Sequence, residues 1–198
     1  MEKLKSLTRV EENFSKLPSV GKKSAERLAY ALLNMPKEEV EEFYTSIMDL
    51  KKNIHVCPIC GFLSEKDVCP ICSDKSRNQE SLMIVSYPKD VMVIENSGSY
   101  DGLYHVLNGV ISISKGITVE DLNISSLIER VKSNNFKEVI ISTNPTIEGE
   151  TTALYLAKLI SPFVGEVTRL GCGIQMGGNL DYTDALTISK ALEGRRKI

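Results

Sequence analysis

The tetrapeptide Cys57-Pro58-Ile59-Cys60 recurs as Cys69-Pro70-Ile71-Cys72. Each CxxC step turns the backbone so that two thiolates face one ion. Two such steps complete a tetrahedral shell of four sulfurs, the shell of structural zinc. Four protein ligands leave no position for water, so the pattern predicts one structural Zn²⁺ per chain and no catalytic metal at Cys57, Cys60, Cys69 and Cys72. The competing readings are a pair of redox CxxC motifs or an iron–sulfur site, and the repeated Pro-Ile argues for one paired, metal-binding design. Gly61 follows Cys60 where such a turn needs a positive φ. His55 is expected to be neutral or solvent-facing, because four thiolates already suffice. The surrounding segment is too short to bury a core of its own, so a metal has to hold it together.

Clustered cysteines suggest a reducing compartment and metal before disulfides. The fifth cysteine, Cys172, stands alone in a Gly-rich stretch and is read as an inert small residue. No run approaches the ~18 apolar residues of a membrane helix. The opening MEKLKSLTRVEENFSKL is charged throughout, without an apolar signal core. A cytoplasmic protein with no membrane partner is the expectation. The net charge is −2, which excludes a uniformly cationic nucleic-acid binder; any such binding needs a local patch or several weak contacts.

The 198 residues divide by pattern into a multi-domain α/β chain. Residues 1–53 read as helical, with apolar stripes at Leu4, Leu7, Val10 and Phe14, then Ala25, Leu28, Ala29, Leu32 and Leu33, then Val40, Phe43, Ile47 and Leu50. Residues 54–76 form the cysteine segment. Residues 79–170 alternate strand and helix, which argues for a small domain with a largely parallel sheet. Strands are expected at Leu82–Val85, Gly102–Val106, Val139–Ser142 and Glu166–Leu170. Helices are expected from Pro88, from a Thr118 cap to about Asn134 with Glu120 and Asp121 in the first turn, and over Glu148–Ile160. Residues 171–198 hold a Gly-rich stretch and a last helix capped by Thr183 or Asp184, then a basic tail. No Lys-Ser/Thr follows the glycines at 171–178, so a Walker-type phosphate loop is excluded.

Leu17-Pro18-Ser19-Val20-Gly21-Lys22-Lys23-Ser24-Ala25 links two expected helices in the pattern of a helix-hairpin-helix. Backbone N–H groups at the start of the second helix, Gly21 among them, can meet a DNA phosphate. The helix dipole favours the anion, and Lys22, Lys23 and Arg27 add charge. No base edge need be read. Residues 1–27 carry seven basic and four acidic side chains, against the acidic balance of the whole. An ordinary helical turn with solvated lysines is the plain alternative, and Ser19 stands where the usual motif has glycine.

Residues 139–159, VIISTNPTIEGETTALYLAKL, run from an apolar strand through a polar turn into an acid-rich helix start. Together the hairpin, the four cysteines, "YHVLNG", "TNPTIEGETTA" and "ALEGRR" resemble the RecR family of bacterial recombination mediators over nearly the whole length. The α/β unit is similar to a Toprim domain. Catalytic Toprim domains carry a glutamate at the end of one strand and Asp-x-Asp at the end of another, which together hold magnesium. Here Ser86 stands in place of the glutamate, and Asn144-Pro145-Thr146 in place of Asp-x-Asp. Neutral groups cannot supply the charge a hard cation needs. The resemblance therefore implies a non-enzymatic protein, with at most a weak or transient Mg²⁺ role for Glu148 and Glu150.

What else the resemblance implies is an assembly. RecR-like proteins form rings, often tetramers, that encircle DNA, and they act with RecO and RecF to load RecA on single strands. By that likeness the chain self-associates from dimer to tetramer through its N- and C-terminal segments. It binds double- and single-stranded DNA without sequence preference through Gly21, Lys22, Lys23 and Arg27, and works at the nucleoid. Glu148 and Glu150 then suit a basic or amide-donating protein partner. The readings left in competition are a Toprim-type nuclease and a zinc-ribbon adaptor without DNA contact.

Overall fold

The structure is a computed structural model and describes residues 4–195. It divides into two compact units after Ile54.

The first unit is helical. Helices α1 (Lys5–Phe14) and α2 (Lys22–Asn34) pack as a pair, and α3 (Lys37–Asn53) follows a short break at Pro36. Ala25 and Ala29 are buried one turn apart on α2, where small side chains allow close helix approach. Between α1 and α2 the chain turns through Leu17 N–H to Phe14 and Val20 N–H to Leu17 hydrogen bonds. At the apex Ser19 takes φ +65°. Ser19 is therefore held in the left-handed region that the glycine of the usual motif adopts without strain.

The second unit joins the cysteine segment to the α/β sheet. Strands β1 (His55–Val56) and β2 (Leu63–Ser64) form an antiparallel ribbon, and α4 (Pro70–Ser73) carries the second cysteine pair. Four strands follow: β3 (Asn78–Val85), β4 (Gly102–Val106), β5 (Glu138–Ser142) and β6 (Glu166–Arg169). They lie in the order β4-β3-β5-β6 and every pairing is parallel. The helices α5 (Pro88–Ser97), α6 (Ile124–Ser133) and α7 (Ile147–Ile160) connect them. A parallel sheet covered on both faces needs strands that are apolar throughout. Residues 81–85 of β3 are all buried.

The two faces carry different cores. One packs Leu82, Ile84, Val139 and Ile141 against Leu127, Val131, Leu156 and Ile160 of α6 and α7. The other packs Met83, Val85, Tyr104 and Val106 against Val91 and, directly, against Cys57, Cys60, Cys69 and Ile71. The cysteine segment thus serves as a covering layer of the sheet.

One expected element begins late. The helix assigned from Thr118 starts at Ile124. Thr118 donates through both N–H and hydroxyl to the Asp121 carboxylate, which closes a separate turn. Asn123 then hydrogen-bonds from N–H to Leu107 and from its side chain to Val106. These contacts with the strand end hold 118–123 out of helical conformation, so Glu120 and Asp121 precede the helix and are not in its first turn. The last helix, α8 (Ala185–Glu193), is capped by Asp184, which accepts from Thr187 N–H at 3.0 Å. Among the described residues, no helix is long and apolar enough to cross a membrane.

Candidate metal centre and strand-end crevice

The ligand atoms of Cys57, Cys60, Cys69 and Cys72 all lie within 4.8 Å of one another. The Cys60 and Cys69 sulfurs are 3.5 Å apart. A tetrahedral zinc shell with bonds of ~2.3 Å has sulfur–sulfur edges of about 3.8 Å, so the cluster fits the ion. Local backbone geometry prepares it. Gly61 takes φ +77°, as the first knuckle requires. Phe62 N–H donates to Cys60 Sγ, Cys69 N–H to Cys57 Sγ and Cys72 N–H to Cys69 Sγ. Such bonds favour the thiolate, the form that binds metal. Hydrogen bonds from Cys60, then Cys72, hold the Cys69 thiol well below its ordinary value, and the same contact with Cys69 pushes Cys60 up. Three of the sulfurs belong to fully buried residues, and the fourth, Cys72, is partly buried; four protein ligands fill a tetrahedral shell. His55 stays outside it, with Nε2 2.7 Å from the Lys66 carbonyl.

The knuckle is also stitched to the sheet. Val106 N–H donates to the Cys60 carbonyl at 2.7 Å. A Cβ on Gly61 would meet the Val106 carbonyl oxygen and the Asn123 amide, each at 2.7 Å. Glycine is therefore required there twice, for its φ and for this close approach.

A second feature lies at the carboxyl ends of β3 and β5. A crevice of about 210 Å³ is lined by Tyr87, Val110, Ser112, Lys115, Ile117, Asn144, Thr146 and Glu148. In open parallel sheets ligands bind at such strand ends. Thr146 caps α7 by accepting from Gly149 N–H at 3.1 Å. Ser86 is fully buried beneath, and its hydroxyl finds no hydrogen-bond partner among the described residues. Of the two acids proposed for one role, only Glu148 lines the crevice. Glu150 turns to Arg169 and is bonded to its guanidinium at 2.7 Å. Asn144 and Thr146 line the crevice as neutral groups, and Lys115 adds a positive one, an arrangement opposite to a divalent-cation site.

In the helical unit Gly21 is the N-cap of α2 and offers no side chain to its first N–H groups. Lys22, Lys23 and Arg27 are all exposed on the first turns of the same helix.

Comparison with known proteins matches the two units in order. Family models described as the RecR helix-hairpin-helix, the RecR four-cysteine zinc finger, the Toprim domain and the RecR C-terminal region match residues 7–50, 54–74, 80–170 and 176–196. A recombination protein RecR of Lactobacillus acidophilus is 47% identical over 183 residues, 92% of each chain. One from Clostridium perfringens is 48% identical over 187 residues, 94% of each. The chain belongs to the RecR family. Its cysteine cluster is the structural Zn²⁺ site of the RecR zinc finger, and its sheet is a Toprim domain. Membership places the chain among recombination proteins.

Two residues around the RecR crevice and its turn escape a reading by motif. Lys115 sits in a turn distant in sequence, and Arg169 ends an edge strand; neither carries a local signature. Only the strand order brings them to the turn at 142–146.

Proposed function

We propose that the chain is a non-enzymatic DNA-binding clamp of recombinational repair, acting with RecO and RecF to load RecA on single-stranded DNA in the bacterial cytoplasm. The observation that carries this reading is the start of α2, where an uncapped glycine N-cap adjoins exposed Lys22, Lys23 and Arg27. Backbone donors at a helix N-terminus with lysines alongside bind phosphate without reading bases. One such patch is weak, and several around a ring gain avidity. Self-association is supported by exposed Phe43, Tyr44, Ile47 and Met48 on α3 and by α8, which buries no residue within the chain. Glu148, at the crevice rim, is the acid open to a basic or amide-donating protein partner.

The absence of strand-end carboxylates at Ser86, Asn144 and Thr146 supports a role without phosphoryl-transfer chemistry. Fluorescence anisotropy on single- and double-stranded DNA tests the clamp, with light scattering for solution mass. Lys22→Ala, Lys23→Ala and Arg27→Ala should weaken binding on every sequence alike. Each phosphate left without its cation should reduce the salt slope by about 1. Unchanged binding in the triple variant, or a strict monomer with and without DNA, overturns the proposal. Cleavage of DNA with Mg²⁺ or Mn²⁺ that disappears in Glu148→Ala overturns its non-enzymatic part.

A further inference from the structure

The stretch 107–122 forms one side of the strand-end crevice, to which it contributes Val110, Ser112, Lys115 and Ile117. Its own regular structure is a single short 3-10 turn, Ile113–Lys115, and a bridge between Ser112 and Ile117 that folds it back. A segment so poor in internal contacts takes its position from its anchors. Gly109 N–H donates to the Ser86 carbonyl at 3.0 Å, and Ile111 N–H to the Thr152 hydroxyl at 2.9 Å. A further anchor closes the two ends on each other: Asn123 N–H donates to the Leu107 carbonyl at 2.9 Å.

Asn123 is bonded through its carbonyl and side chain as well. Its carbonyl lies 2.8 Å from His105 Nε2, its Nδ2 donates to the Val106 carbonyl at 3.1 Å, and its Oδ1 accepts from the Ser126 hydroxyl. It stands at the N-cap of α6, yet its side chain caps no backbone N–H there. An N-cap asparagine usually serves its own helix in that way; this one is turned to β4 instead. Val106 faces both ways. Its carbonyl takes the Asn123 amide, and its N–H donates to the Cys60 carbonyl at 2.7 Å. Gly61 closes the junction, since a Cβ there would fall 2.7 Å from both Asn123 Nδ2 and the Val106 carbonyl oxygen. A continuous set of backbone and amide contacts therefore runs from the first cysteine knuckle through Val106 and Asn123 to the ends of the crevice stretch.

We propose that Asn123 couples the zinc knuckle to the strand-end crevice. With the Cys60 sulfur fixed in the metal shell, the Cys60–Gly61 backbone holds Val106 and Asn123, and these set the position of residues 107–122 and so of Lys115 in the crevice. Such coupling is reciprocal, so a change that loosens the crevice stretch also loosens the knuckle. The competing role is local: Asn123 ties α6 to β4, and the stretch takes its position from Ser86 and Thr152 alone.

The test uses the full-length, zinc-loaded protein. Hydrogen–deuterium exchange reads the amides of 107–122, and zinc transfer to a chromophoric chelator reads the knuckle. Asn123→Ala should speed both exchange across 107–122 and zinc release by roughly 5-fold or more, with residues 139–142 of β5 exchanging as in the parent. Thr152→Val removes the anchor on α7, which packs on the sheet face opposite the cysteines. By reciprocity it should speed zinc release as well, and adding it to Asn123→Ala should speed release no further, because the link is already cut. Parental exchange across 107–122 in Asn123→Ala, or parental zinc release in Thr152→Val, overturns the proposal. So do additive effects on release in the double variant, or faster exchange in β5, either of which marks a general loss of stability. Should Asn123→Ala not fold, Thr152→Val decides: faster zinc release with β5 unchanged upholds the coupling, and parental release overturns it.

Discussion

Arg169, at the end of β6, donates to the Glu150 carboxylate in the first turn of α7 at 2.7 Å, and the same guanidinium donates to the carbonyls of Ile141 at 2.8 Å and Thr143 at 2.6 Å. One side chain thus ties the edge strand, the end of β5 and the start of α7. The carboxylate is half exposed, which limits the ion pair to roughly 0–1 kcal/mol. The carbonyls contribute more, because a charged donor to a backbone acceptor stabilises by about 1.5–3 kcal/mol. Arg169→Ala should therefore cost about 2–3 kcal/mol in urea unfolding, and Glu150→Ala less than about 1. Equal losses in the two variants would show that the ion pair, and not the carbonyl contacts, holds the turn.

Gly149 is buried in the same turn, and a Cβ added there would land on the Asn144 carbonyl oxygen. Because that atom is backbone, the clash cannot be relieved by a rotamer change. Gly149→Ala is expected to lower stability by about 2–3 kcal/mol and to widen the crevice. Glu148→Ala, whose side chain lines the rim, should leave the melting temperature nearly unchanged. A Gly149→Ala protein melting with the parent would refute the close approach.

His105 is fully buried in β4. Its Nε2 lies 2.8 Å from the Asn123 carbonyl and so carries the proton, while Nδ1 has no hydrogen-bond partner among the described residues. Burial, with a smaller contribution from Arg130, pushes its pKa down to about 4, against the partial opposing effect of the Asn123 bond. The unfolded chain takes up this proton near pH ~6.5 and the folded one only near 4. Stability is then fully present above ~6.5, declines by up to about 1.4 kcal/mol per unit as pH falls, and levels off below about 4. His105→Gln should flatten the fall of the urea midpoint between pH 6.5 and 4. An identical pH profile in that variant would assign the fall to other groups.

Ser19 occupies the left-handed region at the hairpin apex, a conformation costing a non-glycine residue about 1–2 kcal/mol. Ser19→Gly removes that strain and adds unfolded-state freedom worth roughly 0.5–1 kcal/mol. The net expectation is a gain of up to about 1 kcal/mol in the helical unit, seen as slower amide exchange at Val20 and Leu17. Faster exchange would mean that the serine is not strained.

Much of the architecture is legible in residue order because its causes are local. Zinc ligation depends on CxxC spacing, so Cys57, Cys60, Cys69 and Cys72 can be named without knowing the sheet. The hairpin depends on a Pro-to-Gly break between amphipathic helices, and apolar runs at 82–85 and 139–142 mark buried parallel strands. The substitution of neutral groups for strand-end carboxylates at Ser86 and at 144–146 is equally visible. The start of α6 is not, because Thr118 and Asp121 form a cap-like pair that closes a turn, and only the contacts of Asn123 with the neighbouring strand end decide between turn and helix.

What the sequence by itself determined is the set of chemical groups: a four-thiolate shell, a lysine-bearing hairpin and a Toprim strand end without its acids. Tertiary structure decided how those groups are shared out. It buried the cysteines against Met83, Val85 and Tyr104, separated Glu148 from Glu150 by bringing Arg169 across the sheet, and bound Asn123 to Val106. Each of these rests on contacts between segments far apart in the chain, whose pairing follows from strand order and packing and leaves no periodicity or motif in the residues themselves.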